Sequence, residues 1–121
     1  YFNPRDNTPG CTVEAQGFRD DYAKIKKLGA DVVGVSRDSE KSHDKFIAKY
    51  DLPFRLIADV DGTIVGDYGC WGEKKFMGRT FNGIIRRTFI IGGKGKIAHA
   101  FLKVSTKTHA AEVLAALREM K

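Results

Sequence analysis

Between residues 12 and 57 the hydrophobic period of this chain switches twice from helix to strand, and that alternation restricts it to α/β architectures. Ala15, Phe18, Tyr22 and Ile25 fall at helical spacing within 12–28, and the stripe stops near Gly29. Residues 31–36, rich in valine, read as a short buried strand. A second helix is predicted to start near Asp38 or Ser39, to turn Phe46, Ile47 and Tyr50 inward, and to end at Pro53. Residues 54–57 read as a strand, 59–62 as a turn, 63–68 as a short helix, and 69–83, full of glycine and charge, as a long loop. Two further strands, 86–91 and 96–102, flank the hairpin signal Gly92-Gly93-Lys94-Gly95. Ala110, Val113, Leu114 and Leu117 mark the closing helix. At the start, Tyr1-Phe2 reads as the tail of a buried strand cut off by Pro4. The order predicts an α/β fold with a mixed central sheet and helices on both faces, in one domain over 1–121. A two-residue strand cannot stand alone, so strands upstream of Tyr1 are expected, and any targeting segment would lie there.

One side chain sits where such a fold places its chemistry. Cys11 follows directly on the Thr8-Pro9-Gly10 turn and precedes the first helical pattern, at a strand-to-helix junction on the carboxyl edge of the sheet. The first N–H groups of a helix have no intrahelical partners and carry the positive end of its dipole, which favours the anionic, nucleophilic form of a thiol placed there. A lone cysteine is more often a small core residue, but the turn and the helix start reverse that preference here. Thr8 taken alone would be a turn residue, Arg86 a surface or ion-pair residue, and Glu14, placed in the first helical turn, is explained by the dipole.

Other function classes lose ground. The net charge of +6 is spread along the chain without a basic block, which argues for a solvated surface and against nucleic acid. Trp71, Phe76 and Phe81 with their neighbouring lysines read as a packed loop near the site rather than a base-stacking platform. Two cysteines are too few for a disulfide scaffold and favour reduced thiols in a cytoplasmic setting. His43, His99 and His109 lack metal-ligand spacing and read as surface or packing residues. Gly92 to Gly95 joins two strands and lacks the context of a phosphate loop. No Cys-x-x-Cys is present, which disfavours a thioredoxin-type reductase, and no apolar run is long enough to span a membrane.

Pro4, Thr8 and Cys11 fit the Pro-x-x-x-Thr-x-x-Cys signature of the peroxiredoxins. Thr8-Pro9-Gly10-Cys11-Thr12, Phe18-Arg19-Asp20, the run from Trp71 to Arg79 and Gly83-Ile84-Ile85-Arg86 resemble the bacterioferritin co-migratory, or peroxiredoxin Q, group, and the likeness runs from Tyr1 to the last helix. The resemblance implies a thioredoxin-like fold and a thiol peroxidase that reduces hydrogen peroxide and organic hydroperoxides with no cofactor and no metal. It implies that Cys11 attacks the peroxide, that the Thr8 hydroxyl bonds thiolate and peroxide, and that Pro4 shields the sulfur. It further implies that Arg86 stabilises both reacting groups, with Gly10 and Cys11 N–H groups completing the cradle. Many members carry a resolving cysteine five residues on, where this chain has Gln16. A one-cysteine cycle is therefore expected, served by an external thiol such as thioredoxin, glutaredoxin or glutathione. Cys70 is the one internal candidate for a resolving role. The chain is expected to be a monomer or weak dimer; the competing class is a non-catalytic thioredoxin-like binding module.

Overall fold

A computed structural model describes residues 1–6 and 8–120, without the side chain of Phe76. Helix α1 (Pro9–Lys27) begins three residues ahead of the segment 12–28 expected from its apolar stripe. Proline suits the first helical position, where its missing N–H would be unpaired anyway and its fixed φ is already helical. The extended Thr8 is the N-cap, so Cys11 lies inside the first turn rather than ahead of the helix. Strands β1 (Val33–Ser36) and β2 (Arg55–Ala58) run parallel, Val33 opposite Arg55. Between them runs α2 (Glu40–Tyr50), capped by Ser39, whose hydroxyl accepts the Ser42 N–H at 3.1 Å. It ends at Asp51 in a left-handed conformation, two residues ahead of Pro53.

After the short α3 (Thr63–Asp67) the predicted long loop is instead a hairpin of β3 (Trp71–Phe76) and β4 (Arg79–Ile84). Its turn residues Met77 and Gly78 have φ of 51° and 77°, the left-handed pair that matches the twist of antiparallel strands. The strands escaped notice because they are mostly exposed and carry no alternation of apolar and polar residues. Strands β5 (Thr88–Ile91) and β6 (Ile97–Phe101) form a second hairpin, followed by α4 (His109–Glu119). Arg86, expected to open a strand, lies in the link between β4 and β5.

The segment from Tyr1 to Asn3 joins these pieces. Phe2 bridges Val35 in parallel and Arg87 in antiparallel sense. Its N–H donates to the Arg87 carbonyl at 2.9 Å, and the Val35 N–H donates to the Tyr1 carbonyl at 2.7 Å. The order is therefore β2, β1, this segment, β5, β6, a mixed sheet. Consecutive residues of an extended segment face opposite ways. Tyr1 enters the core cluster of Phe18, Ile25, Ile90, Val113 and Leu114, between sheet and helices α1 and α4, and stacks on Phe18 at 4.8 Å. Phe2 enters a second cluster with Val35, Val65, Cys70 and Ile84. The two cores thus put α1 and α4 on one side of the sheet and α3 with Cys70 on the other.

His109 is a packing residue, as expected from sequence. It is fully buried, its ring edge-on to Phe18 and Phe101 and its Nε2 2.6 Å from the Thr88 hydroxyl. Burial lowers its pKa to about 4. In the unfolded chain the ring takes up its proton near pH 6.5, so stability is complete above that value and declines as pH falls toward 4. Urea midpoints between pH 7 and 4.5 should decline in the parent protein and less in His109→Gln.

Candidate active site

Three side chains from two distant parts of the chain meet at the start of α1. Cys11 is in the first turn and has no exposed surface. Arg86 reaches it from the β4–β5 link: Nη2 donates to the Cys11 Sγ at 3.3 Å, and Nη1 donates to Oε1 of Glu14 at 2.8 Å. One turn along the helix, Glu14 thus holds one arm of the guanidinium while the other faces the sulfur. Gly10 makes room for this, since a Cβ there would stand 3.2 Å from Arg86 Nη2. The backbone N–H groups of Gly10 and Cys11 precede the first intrahelical bond, Thr12 N–H to the Thr8 carbonyl at 2.9 Å, so neither has a partner within the helix.

The charges reinforce one another. Burial opposes the charge on Arg86, but the nearby sulfur and the Glu14 carboxylate outweigh it and hold the guanidinium above its ordinary pKa. Burial pushes the Glu14 carboxyl up, and Arg86 only partly reverses this. A fixed positive group against a sulfur, in a place closed to water, is suited to a reaction in which negative charge moves from that sulfur to an oxygen beside it.

The remaining expected residues are placed less directly. The Thr8 hydroxyl donates to the Arg5 carbonyl at 2.9 Å and makes no cap bond to the helix. It closes the loop ahead of Cys11, and its lone pairs stay available. Pro4 is half-buried at the beginning of that loop. Arg87 turns away from Arg86 and donates to the Gly69 carbonyl at 2.8 Å. Cys70 is a free thiol, fully buried in the core on the other side of the sheet, its Sγ 3.7 Å from the Tyr68 carbonyl. Burial pushes that thiol up. Trp71 is not packed in a loop: it lies half-exposed on β3 with the Arg37 guanidinium 5.0 Å from its ring centre, and Phe81 is exposed on β4. The side chain of Phe76 lies outside the described residues.

Two features escaped the sequence reading. Glu14 was assigned to the first turn and to the helix dipole, but α1 starts at Pro9, which moves Glu14 into the second turn and toward the core. The signal was present, because Cys11, Glu14 and Phe18 share one helical face at i, i+3 and i+7. The second is a largely buried group formed by Asp6, Asp38 and His43, whose side-chain oxygen and nitrogen atoms lie within 4.8 Å of one another. His43 is neither on the surface nor apolar packing. Its Nδ1 is 2.6 Å from Asp6 Oδ2 although the residues are 37 positions apart, a pairing that no local spacing reveals. These groups bond mutually as a polar clamp. Among the described residues no helix is long and apolar enough to cross a membrane.

Comparison with known proteins agrees with this geometry. The AhpC/TSA family model matches residues 1–100. The protein named peroxiredoxin Bcp of Escherichia coli is 44% identical over 119 residues, covering 98% of this chain and 76% of the relative. That of Bacillus subtilis is 42% identical over 120 residues, covering 99% and 76%. Among solved structures, the bacterioferritin comigratory protein of Xanthomonas campestris, described with its alkyl peroxide reduction activity, superposes with a TM-score of 0.93. It shares 41% identity, over 99% of this chain and 76% of its own. The fold is the thioredoxin-like α/β arrangement expected from the sequence. A buried cysteine under an arginine at the start of a helix, in a chain this close to those relatives, makes it a member of the AhpC/TSA family within the Bcp/peroxiredoxin Q group.

Proposed function

We propose that this chain reduces hydrogen peroxide and alkyl hydroperoxides at Cys11, with Arg86 bridging Glu14 and the sulfur as the observation that carries the reading. The Cys11 thiolate attacks the distal peroxide oxygen in line with the O–O bond. An S–O bond forms, the O–O bond breaks, and the departing oxygen leaves with the electron pair and takes up a proton as water or alcohol. Negative charge passes from sulfur to that oxygen while Arg86 Nη2 stands beside both. The N–H groups of Gly10 and Cys11 hold the peroxide, the Thr8 hydroxyl turns from Arg5 to accept or donate at the reacting atoms, and Pro4 screens the sulfur. These steps need only side chains and backbone.

The sulfenic acid is then reduced by an external thiol of the thioredoxin, glutaredoxin or glutathione type. One thiol condenses with it to a mixed disulfide and water, and a second releases Cys11. Gln16 at the usual resolving place and the burial of Cys70 in the opposite core favour this one-cysteine cycle. Residues 1–121 act as one domain, since both cores share one sheet. A reducing, cytoplasmic setting and a monomer or weak dimer accord with the two free thiols and the charged surface. One equivalent of peroxide in the presence of a 1,3-diketone trap for sulfenic acid should add a single adduct mass, mapping to Cys11. No adduct would favour a thioredoxin-like module without catalysis.

A further inference from the structure

The loop ahead of Cys11 is anchored by a buried histidine that the reaction itself does not use. Asp6 lies between Pro4 and Thr8 and points inward, its side chain 2% exposed. Oδ2 of Asp6 accepts from the Ser42 hydroxyl at 3.2 Å and meets Nδ1 of His43 at 2.6 Å. Its backbone N–H donates to Oδ2 of Asp38 at 2.8 Å. The loop is thus tied to α2 and to the β1–α2 link by three bonds made through one residue.

Hydrogen-bond chemistry constrains the protons on and around His43. Nε2 faces the Ile57 carbonyl at 3.1 Å, which can only accept, and the Ser36 hydroxyl at 3.3 Å. That hydroxyl already donates its single proton to Asp38 at 2.7 Å, leaving only lone pairs for the ring. Nε2 must therefore carry hydrogen. Nδ1 lies 2.6 Å from Asp6 Oδ2, so one further proton is shared between them; with Asp6 as the carboxylate, the ring is an imidazolium paired with it. The titratable groups facing it are Asp6 from the loop and Asp38 from the β1–α2 link, both acidic; β2 presents only a carbonyl. Desolvation opposes the charge, but the bonds and attraction of Asp6 prevail and hold His43 above its ordinary pKa.

We propose that His43 is a positioning residue for the peroxidase reaction: in its charged form it clamps Asp6 and so sets the loop carrying Pro4 and Thr8 over the sulfur. The proposal rests on the peroxidase reading. A group with a raised pKa delivers its hold below that pKa and loses it as pH rises through it. Deprotonation leaves one of the two ring nitrogens without hydrogen against an acceptor and removes the charge from the His43–Asp6 bond, so the loop is held to α2 less firmly, by the Ser42 hydroxyl and a neutral ring. Misplacing groups around reacting atoms by about 1 Å can cost up to about a hundredfold in rate, so a clamp one residue removed is expected to be worth about tenfold.

The test uses the whole chain and has two readings. The first needs no peroxide: in proton NMR the His43 ring should titrate above 6.5, and the Asp6 and Thr8 amide signals should move with the same midpoint. Asp6→Asn should lower that midpoint, and in His43→Gln the amide transitions should vanish. The second reading is the second-order rate with hydrogen peroxide from pH 5 to 9. The parent should lose rate on the alkaline side with the His43 midpoint, whereas His43→Gln should be about tenfold slower at pH 6 and lack that limb. If His43→Gln does not fold, Asp6→Asn, which keeps the shape of the carboxylate, serves instead and should move the limb to lower pH. Loop amides that ignore the His43 transition would overturn the proposal. So would variants slowed equally at every pH, the behaviour of a brace without titration. Absence of a Cys11 sulfenic adduct would sink the peroxidase reading separately, leaving the NMR result to judge the clamp.

Discussion

Replacing Arg86 by Met should slow peroxide consumption about a hundredfold while the protein remains folded. Arg86 presents one nitrogen to the sulfur and the other to Glu14, and loss of a single donor aimed at developing charge costs about 10²–10³ in rate. Met preserves most of the aliphatic packing, so the loss falls on charge and direction. The variant also strands the fully buried Glu14, whose carboxyl then has every reason to take up a proton; unfolding midpoints should drop modestly and less so at acid pH. Arg87→Met is the control. Its guanidinium holds the Gly69 carbonyl on the other side of the chain, so turnover should change by no more than a few-fold. Equal sensitivity of the two variants, or greater sensitivity at Arg87, would show that the guanidinium beside Cys11 is not the reacting partner. Stopped-flow rates with hydrogen peroxide, alongside circular dichroism, decide the matter.

Cys11→Ser is expected to abolish turnover, and Cys70→Ser to leave it near normal with an external thiol donor. A serine hydroxyl at Cys11 is not ionised and cannot form the sulfenic acid, so no residual thiol chemistry remains at the site. Cys70 packs against Phe2, Val35, Val65 and Ile84 behind the sheet that carries α1 on its front. Burial keeps it protonated to higher pH than a free thiol, which weakens it as an attacking group. A disulfide requires the two Cα atoms to come within about 7 Å, and the sheet stands between these two cores. Cys70→Ser puts a hydroxyl among apolar neighbours and should lower stability by about 1 kcal/mol or more, a separate effect from activity. Peptide mapping without reductant provides the check. A Cys11–Cys70 disulfide formed as fast as peroxide disappears would replace the one-cysteine cycle with an internal one.

Much of this arrangement was legible because it is local. The stripe Ala15, Phe18, Ile25 gave α1, Ser39 gave the start of α2, and Thr8 to Cys11 gave the turn that carries the nucleophile. The β3–β4 hairpin was illegible because its mostly exposed strands, WGEKKF and RTFNGI, show no apolar–polar alternation, and only Met77-Gly78 hinted at a turn. Arg86 and Arg87 are neighbours in the chain, and a strand over 86–91 would turn them to opposite faces. The two do point apart, though Arg86 sits in a link rather than a strand. For Glu14 the start of the helix decides only the turn: beginning at Pro9 puts it in the second turn, away from the dipole end, while its i+3 and i+7 spacing to Cys11 and Phe18 puts it on the buried face. His43 and Asp6 are joined only by tertiary structure, and a sequence read element by element has no means of pairing them.

The complete burial of Cys11 gives the catalytic cycle two different gatekeepers. A molecule of two oxygens needs only a momentary gap beside Gly10 and Arg86 to reach the sulfur. A reductant as large as thioredoxin could not follow through such a gap, so for it Cys11 would first have to be uncovered at the first turn of α1. That turn is loosely fastened at its end, because Thr8 spends its hydroxyl on Arg5 and leaves the helix without a side-chain cap, a bond that ordinarily contributes about 1 kcal/mol. On the one-cysteine cycle proposed above, oxidation would track peroxide concentration, whereas recovery would track how often the start of α1 opens. At high peroxide the oxidised sulfur would then wait behind a closed door, open to a second small oxidant before a large reductant could enter. Thr8, whose hydroxyl serves a carbonyl of the preceding loop and not an N–H of the helix, is the residue through which that wait would be lengthened or shortened.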